Sequence, residues 1–405
     1  MFRVAYIVTH PIQYQAPLLR FLAASDKIDL KVFFLSDFSL HAYHDKAFAQ
    51  TFKWDVPLTE GYKWEILSRW FIGQSTPMRS WWPMQGIRQR LKDGDFDAVW
   101  VHGWNHIGLL QAVSAANSLG MPVLMRGEAT LVRKTKHTWR RKLRTVFCQH
   151  LFGKVSAFLC IGSWNRKFYQ SFEVPPERLF LMPYAVDNDQ FQQRAGEAKA
   201  RRESLRKELG LEPNRAIILY AAKFIPVKAP EDLLAAFQRL LPTLQTERPY
   251  LMFVGDGPLR SELEKQAKPL GDSVRFLGFR NQSEIPAFYD LCDVFVLPSH
   301  FEPWGLAVNE AMNAGKPVIV SDRVGAATDL VEEGGNGSIY PHGDAAMLAA
   351  RLKLILESPE LQLQMGRKSL ERINVWNFEA DYKGLLEALS AVCKYQKKAG
   401  AKAAL

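Results

Sequence analysis

Short apolar runs of strand length alternate with longer amphipathic stretches along most of this chain, and that rhythm limits the possible fold more than any other feature. Residues 4–8, 30–35, 98–101 and 122–125 read as buried strands, with helices at 16–24 and 109–119 between them. Strands without polar alternation are covered on both faces, so the pattern requires βαβ units and a mostly parallel sheet.

The rhythm stops and then restarts. Residues 187–215 are polar and highly charged with no strand candidate, which places a domain boundary there. Beyond it come strands at 216–222, 250–254, 274–277, 294–297 and 318–321, separated by helices at 230–241, 259–269, 283–292 and 305–314. The expectation is an α/β chain with two doubly wound, Rossmann-like domains. The first spans 1–190, a linker 191–213 and the second 214–375. A last helical segment, 376–405, packs back on the first domain, with a frayed end at 397–404. Ligands of such sheets bind beyond the carboxyl ends of the strands, so an interdomain cleft is expected and strand-to-helix loops should carry the chemistry.

Composition narrows the class. The 405 residues are 47% hydrophobic and 23% charged, as in packed globular proteins, and Lys plus Arg exceed Asp plus Glu by 52 to 42, a net +10. That excess suits phosphate, nucleic acid or an anionic lipid surface. Cys148, Cys160, Cys292 and Cys393 are too dispersed for a zinc cluster and too few for a disulfide scaffold, which suggests a reducing compartment. The apolar run at residues 1–8 meets His10 and Pro11 at once, too short for a signal-peptide core, and reads as the first strand. No window approaches the ~18 to 20 apolar residues of a membrane span.

The most informative segment runs from 297 to 320. A strand ends at Leu297, a loop of Phe-Glu-Pro-Trp carries Glu302, a helix starts near Gly305 and carries Glu310, and Gly315 with Pro317 stops it. Free backbone N–H groups at the helix start, Gly305, Leu306 and Ala307, can bind an anion with help from the helix dipole. Two carboxylates that accept from hydroxyls, beside such a helix end, suit a sugar phosphate.

Glu302-x7-Glu310 resembles the E-x7-E segment of retaining glycosyltransferases of the GT-B type, family 4. Residues 222–230, Ala-Lys-Phe-Ile-Pro-Val-Lys-Ala-Pro, resemble that family's basic pair, usually Gly-Arg-x-x-x-x-Lys-Gly. Val254-Gly255-Asp256-Gly257-Pro258 resembles its Gly-x-Gly-Pro turn, and Phe276-Leu277-Gly278-Phe279, Gly325-Ala326 and Asn336-Gly337 follow in order. The resemblance covers about residues 216 to 345. Lys223 stands where Arg is common, which keeps the charge and loses a bidentate fork, and Ala222, Ala229 and Ala326 stand where glycines are common.

The resemblance implies a nucleotide-diphosphate sugar as donor. Its leaving group develops negative charge, which Lys223 and Lys228 with the Gly305–Leu306 helix start would stabilise, so neither metal nor other cofactor is expected. By the resemblance Glu310 holds the donor ribose, and Glu302 with nearby amides holds the transferred sugar.

The first domain is expected to bind the acceptor. His102, just beyond a strand, resembles the family's strand-end histidine and would orient the acceptor hydroxyl, accept its proton or contact the sugar. His10 and Gln13, after the first strand, and Arg126, after the strand at 122–125, are further candidate contacts. Asp93-Gly94-Asp95 spells a DxD, but it precedes its strand and reads as a turn. Gly255-Asp256-Gly257 is not a dinucleotide fingerprint.

From Ala129 to Phe172 there is no carboxylate, while Arg133, Lys134, Lys136, Arg140, Arg141, Lys142 and Arg144 are present. Trp139, Leu143, Val146, Phe147 and Leu151 recur at helical spacing, giving a basic amphipathic helix. Either the apolar stripe packs on the core, or Arg140, Arg141, Lys142 and Arg144 dock on an anionic membrane, as a lipid-linked acceptor would require. The expectation is a transferase in cell-surface polysaccharide or glycolipid synthesis, using a glycan or lipid-linked acceptor, peripheral on the inner face of the cytoplasmic membrane, with no nucleic-acid partner. The alternatives are a nucleic-acid- or membrane-binding protein on a degenerate scaffold, or a sugar phosphorylase or epimerase of the same fold.

Overall fold

The computed structural model describes residues 1–45, 47–67, 86–131 and 138–403, with the side chains of 138, 140, 141 and 394–403 left out. Arg133, Lys134 and Lys136, and the side chains of Arg140 and Arg141, lie outside the described residues. The chain divides into two compact units. Met1–Tyr43, Val56–Tyr184 and Phe378–Leu405 form the first, and His44–Asp55 with Ala185–Asn377 form the second.

The first unit is built on a seven-stranded sheet in which every pairing is parallel. Across the sheet the strands run Lys63–Ile66, Ile28–Phe34, Phe2–Val8, Ala98–His102, Val123–Arg126, Ala157–Cys160 and Leu179–Leu181. Val, Ile, Phe and Leu dominate the central strands, and Val4, Ala5, Ile7, Val99, Val101, Leu124, Phe158 and Leu159 are fully enclosed. Strand order reverses between Phe2–Val8 and Ala98–His102, which puts the ligand-binding crevice of such a sheet at His102 and at the loop after Val8.

The helix Phe378–Ala403 belongs to this unit. Leu385, Ala388 and Leu389 are buried, Ser25 donates to the Tyr382 hydroxyl at 2.9 Å, and Phe21 packs against Phe378 and Tyr382. Gly384 lets the helix pass so close to Leu181 that a Cβ there would meet the Leu181 carbonyl oxygen at 1.8 Å.

The second unit carries a six-stranded, all-parallel sheet in the order Val274–Gly278, Tyr250–Val254, Ile217–Ala221, Val294–Leu297, Val318–Ser321, Gly337–Tyr340. Its reversal lies between Ile217–Ala221 and Val294–Leu297, so the loops after Ala221 and Leu297 occupy the binding position. The stretch 191–213, expected as a linker, is instead mostly helical: Asn188–Ala200 and Arg202–Glu208. Asp187 caps the first of these by accepting from Gln190 N, and residues rich in Ala, Gln, Glu, Arg and Lys favour the helical state. Arg202 ties the second to Asp290 through two side-chain hydrogen bonds of 2.5 and 2.9 Å.

A two-stranded ladder, Tyr43–Asp45 with Gln50–Phe52, interrupts the first unit's sequence, and most of it joins the second. Phe48, Phe52 and Trp54 lie 4.9, 4.5 and 6.3 Å from the Phe279 ring, Asn281 donates to Lys53 O, and Ser283 hydrogen-bonds Asp55. Nothing in the strand-and-helix rhythm marked this segment.

Candidate active site

In the second unit, Lys223 and Lys228 lie in the loop that follows the strand Ile217–Ala221. That loop is stapled to the turn after Val254: Phe224 N donates to Asp256 O, and Leu259 N to Phe224 O. Gly255 and Gly257 serve this contact, since a Cβ would stand 2.0 Å from Ala222 O at the first and 2.6 Å from Phe224 O at the second. Close backbone packing accounts for Gly-x-Gly here. Ala229, where the family has glycine, adopts φ 48° at 1% exposure, a left-handed conformation disfavoured for any residue with a Cβ.

Two lysines and two carboxylates are joined in pairs. Lys228 forms an ion pair with Glu302, a residue from the loop after Val294–Leu297. Lys223 Nζ lies 2.9 Å from Asp45 Oδ2 and 4.5 Å from the Phe48 ring centroid, both contributed by the ladder segment. Burial alone would raise the Asp45 carboxyl, but Lys223 and the N–H groups of Ala47 and Phe48 hold it below the usual range. His300 N donates to Val227 O, which fixes the two loops to each other.

Glu302 is also anchored through its backbone, donating to Arg323 O and accepting from Gly325 N. Gly325 is required there, because a Cβ would lie 2.1 Å from Pro303 O. Gly305, at φ 101°, turns the chain into the helix Leu306–Asn313, so its amides and that of Leu306 open the helix as the sequence implied. Glu310 is on this helix and accepts from the Tyr289 hydroxyl at 2.7 Å. Burial raises its carboxyl to about 7, against the opposing effect of that hydrogen bond.

In the first unit, His102 ends its strand among polar side chains. Tyr6 OH lies 3.0 Å from Nδ1, Gln15 Nε2 lies 3.0 Å from Nε2, and Tyr6 OH donates to Gln15 Oε1 at 2.7 Å. Burial, with the charge of Arg126 and the proximity of His10, pushes the His102 imidazole down to about 3. It is neutral at physiological pH, a hydrogen-bonding group and a weak base. Beyond it, Tyr184 and Tyr14 both donate to Glu128 Oε1, at 2.6 and 3.1 Å.

The other expected contacts of this unit fare differently. Arg126 is 1% exposed, and its guanidinium donates to Met182 O, Pro183 O and Asp381 Oδ1 at 3.0, 2.7 and 2.9 Å. The expected ligand contact is corrected to a structural one, since every described partner of this side chain is internal. His10 is half-buried against Phe38 and the Thr9 hydroxyl, and burial lowers it to about 4. Gln13 is half-buried and has no side-chain hydrogen bond among the described residues. Asp95 pairs with Arg3 at a φ of 48°, and Asp97 accepts from Arg3 N, which is the turn role expected of that segment. Among the described residues no group of three or more His, Cys, Asp or Glu is arranged to hold a metal.

Helix Thr138–Gly153 divides its apolar stripe between two environments. Cys148, Leu151 and Phe152 pack inward, while Trp139, Leu143, Val146 and Phe147 are 59, 62, 64 and 43% exposed. Leu151 of the apolar stripe therefore packs in the core, and Trp139, Leu143, Val146 and Phe147 do not. Lys142 is exposed beside it, and Arg144 lies 5.7 Å over the Phe168 ring.

Sequence reasoning missed Tyr14, Gln15, Glu128 and Tyr184 in the first unit, and Asp45 and Tyr289 in the second. Glu128 sat within reach of the strand-end logic that selected Arg126, two positions earlier.

Residues 201–372 match the family described as glycosyl transferases group 1. They are a group 1 glycosyltransferase domain. The group 1 domain holds Lys223, Lys228, Glu302 and Glu310, and the helix Arg202–Glu208 lies within it. The chain is 30% identical over 224 residues to alpha-D-kanosaminyltransferase of Streptomyces kanamyceticus, covering 55% of this chain and 56% of that protein. It is 31% identical over 271 residues to putative glycosyltransferase EpsF of Bacillus subtilis strain 168, covering 65% and 66%. The chain thus spans about half to two thirds of the length of these curated relatives. The structure of Anabaena Alr3699/HepE in complex with UDP superposes with a TM-score of 0.70 at 18% identity, over 96% of this chain and all of that one. The fold, with the group 1 domain as its second unit, is GT-B.

Proposed function

We propose that this protein is a retaining glycosyltransferase that moves a sugar from a nucleoside diphosphate to a glycan or lipid-linked acceptor, without a metal, in polysaccharide or glycolipid synthesis. The observation that carries this reading is the Lys228–Glu302 pair, which joins two loops at the sheet's switch point and brings the basic pair to the E-x7-E segment. Lys223 and Lys228 supply fixed positive charge for the departing diphosphate, with the amides at Gly305 and Leu306 directed to the same kind of oxygen. Glu310 accepts from the ribose hydroxyls. The neutral His102 orients the reacting hydroxyl as a hydrogen-bond partner. The Anabaena neighbour, solved with UDP and with UDP-glucose, supports a nucleoside diphosphate ligand for this fold.

Membrane docking belongs to the same reading. Among the described residues no helix is long and apolar enough to cross a membrane. Trp139, Leu143, Val146 and Phe147, exposed on a helix whose charged residues are all basic, fit insertion into the headgroup region of an anionic cytoplasmic leaflet.

The test is thermal unfolding of the full chain with UDP, GDP, ADP and their sugars, with and without EDTA. One nucleotide family is expected to stabilise the protein, by about 2.7 kcal/mol at a hundredfold excess over Kd, with EDTA having no effect. Lys228→Ala is expected to abolish the shift. Stabilisation by none of the three nucleotides refutes the donor assignment, and loss on EDTA refutes metal independence.

A further inference from the structure

Beside His102 the first unit places a carboxylate and two tyrosines that the proposed reaction leaves unassigned. Glu128 is exposed, yet one carboxylate oxygen, Oε1, takes both the Tyr184 hydroxyl at 2.6 Å and the Tyr14 hydroxyl at 3.1 Å. The tyrosine rings come from distant parts of the sequence and meet edge to face at 5.7 Å, so the carboxylate is held from two sides. Glu128 Oε2 has no hydrogen-bond partner among the described residues. A carboxylate is an acceptor only, and two phenols directed at one oxygen orient the other outward.

Among the described residues the groups beside Glu128 are chiefly hydroxyls and a neutral imidazole. His102 is neutral, and Tyr184 OH lies 3.4 Å from its Nε2. With Tyr6 donating to Gln15 Oε1, His102 Nδ1–H donates to the Tyr6 oxygen and Nε2 carries the lone pair, facing Gln15 Nε2–H. Arg126, 4.8 Å from the Tyr184 ring centroid, is buried and turned inward, donating to Asp381 Oδ1, Met182 O and Pro183 O. Among the described residues the net result is one exposed carboxylate whose two hydroxyl partners are both committed to Oε1.

We infer that Glu128, held by Tyr14 and Tyr184 beside His102, is a specificity-determining residue for the acceptor, selecting a hydroxyl- or amine-bearing group and rejecting a carboxylate or phosphate at that position. This rests on the glycosyltransferase reading for the word acceptor, while the preference itself follows from the donor and acceptor pattern alone. A hydroxyl or ammonium donates to Glu128 Oε2, whereas an anionic oxygen there meets like charge.

The test uses four probes at millimolar concentration with the full chain, read by saturation-transfer NMR: methyl glucoside, glucosamine, glucuronate and glucose 6-phosphate. The first two are expected to bind at least fivefold tighter than the two anions. Glu128→Gln keeps an oxygen for the two tyrosines and turns an amide N–H outward, so glucosamine should weaken at least fivefold and the anions should tighten. Anions that bind the wild type as well as methyl glucoside, a variant that leaves all four unchanged, or binding of no probe overturns the inference. Where Glu128→Gln does not fold, Tyr14→Phe carries the test, with methyl glucoside at least twofold weaker, and no change overturns it. UDP, GDP and ADP binding is measured in the same samples. Nucleotide binding with sugar preferences indifferent to Glu128 defeats this inference alone, and a sugar preference without nucleotide binding defeats the transferase reading instead.

Discussion

Glu310 should make nucleotide affinity depend on pH in a way its amide isostere abolishes. Its carboxyl is raised to about 7 by burial, and the ribose contact proposed for it needs the ionised form as acceptor. Affinity is then expected to be level above pH 8 and to fall tenfold per unit below 7. At pH 5.5 the loss is about thirtyfold, or about 2 kcal/mol at 1.36 kcal/mol per unit. The ligand-free protein should respond in the opposite sense. Because the folded carboxyl titrates above its unfolded value of 4.5, the folded state holds the extra proton between pH 4.5 and 7, and stability falls as pH rises through that window, by at most about 3 kcal/mol. Glu310→Gln removes the titration, so the variant should match the wild type near pH 4 and melt higher at pH 8, while binding nucleotide weakly at every pH. Calorimetric titration with the best nucleotide from pH 5.5 to 8.5, paired with thermal melts, measures both. A wild-type affinity that stays constant between pH 5.5 and 8 would refute the reasoning.

Three other outcomes are expected. Ala229→Gly relieves a left-handed backbone at a position where little side chain is lost, and should stabilise the protein by about 1 kcal/mol, read as a higher urea midpoint. Asp381→Leu leaves Arg126 buried and unpaired, and should destabilise the first unit by about 3–5 kcal/mol, with Arg126→Met in the same chain recovering most of it in chemical denaturation. Trp139→Ser with Leu143→Ser should reduce flotation with phosphatidylglycerol vesicles at least tenfold and leave nucleotide binding unchanged, and equal flotation would remove the helix from the docking reading.

The strands were legible because burial on both faces writes itself as unbroken apolar runs, and residues 250–254 and 318–321 form strands with those same bounds. The loop pairings at the second unit's switch point were legible only as motifs. Nothing in the spacing of Lys228 and Glu302, 74 residues apart, states that they touch. Residues 191–213 read as a linker because of their charge, and the helices they form were not legible: Asp187, Ala195 and Arg206 cap, bury and anchor them. Glu128 was overlooked for a different reason. Its meaning comes from Tyr14 and Tyr184, and a long-range hydroxyl-to-carboxylate bond has no sequence periodicity.

The ladder at His44–Asp55 bears on how the gene can be cut. The second unit is not a continuous stretch of coding sequence: a fragment beginning at Ala185 would lack Phe48, Phe52 and Trp54, leaving Phe279 uncovered and Lys223 without Asp45. Domain exchange between relatives at the obvious boundary would therefore transplant a second unit whose own partner strip stays behind in the protein it came from. Chimeras that carry residues 44–55 along with 185–377 should be the soluble ones.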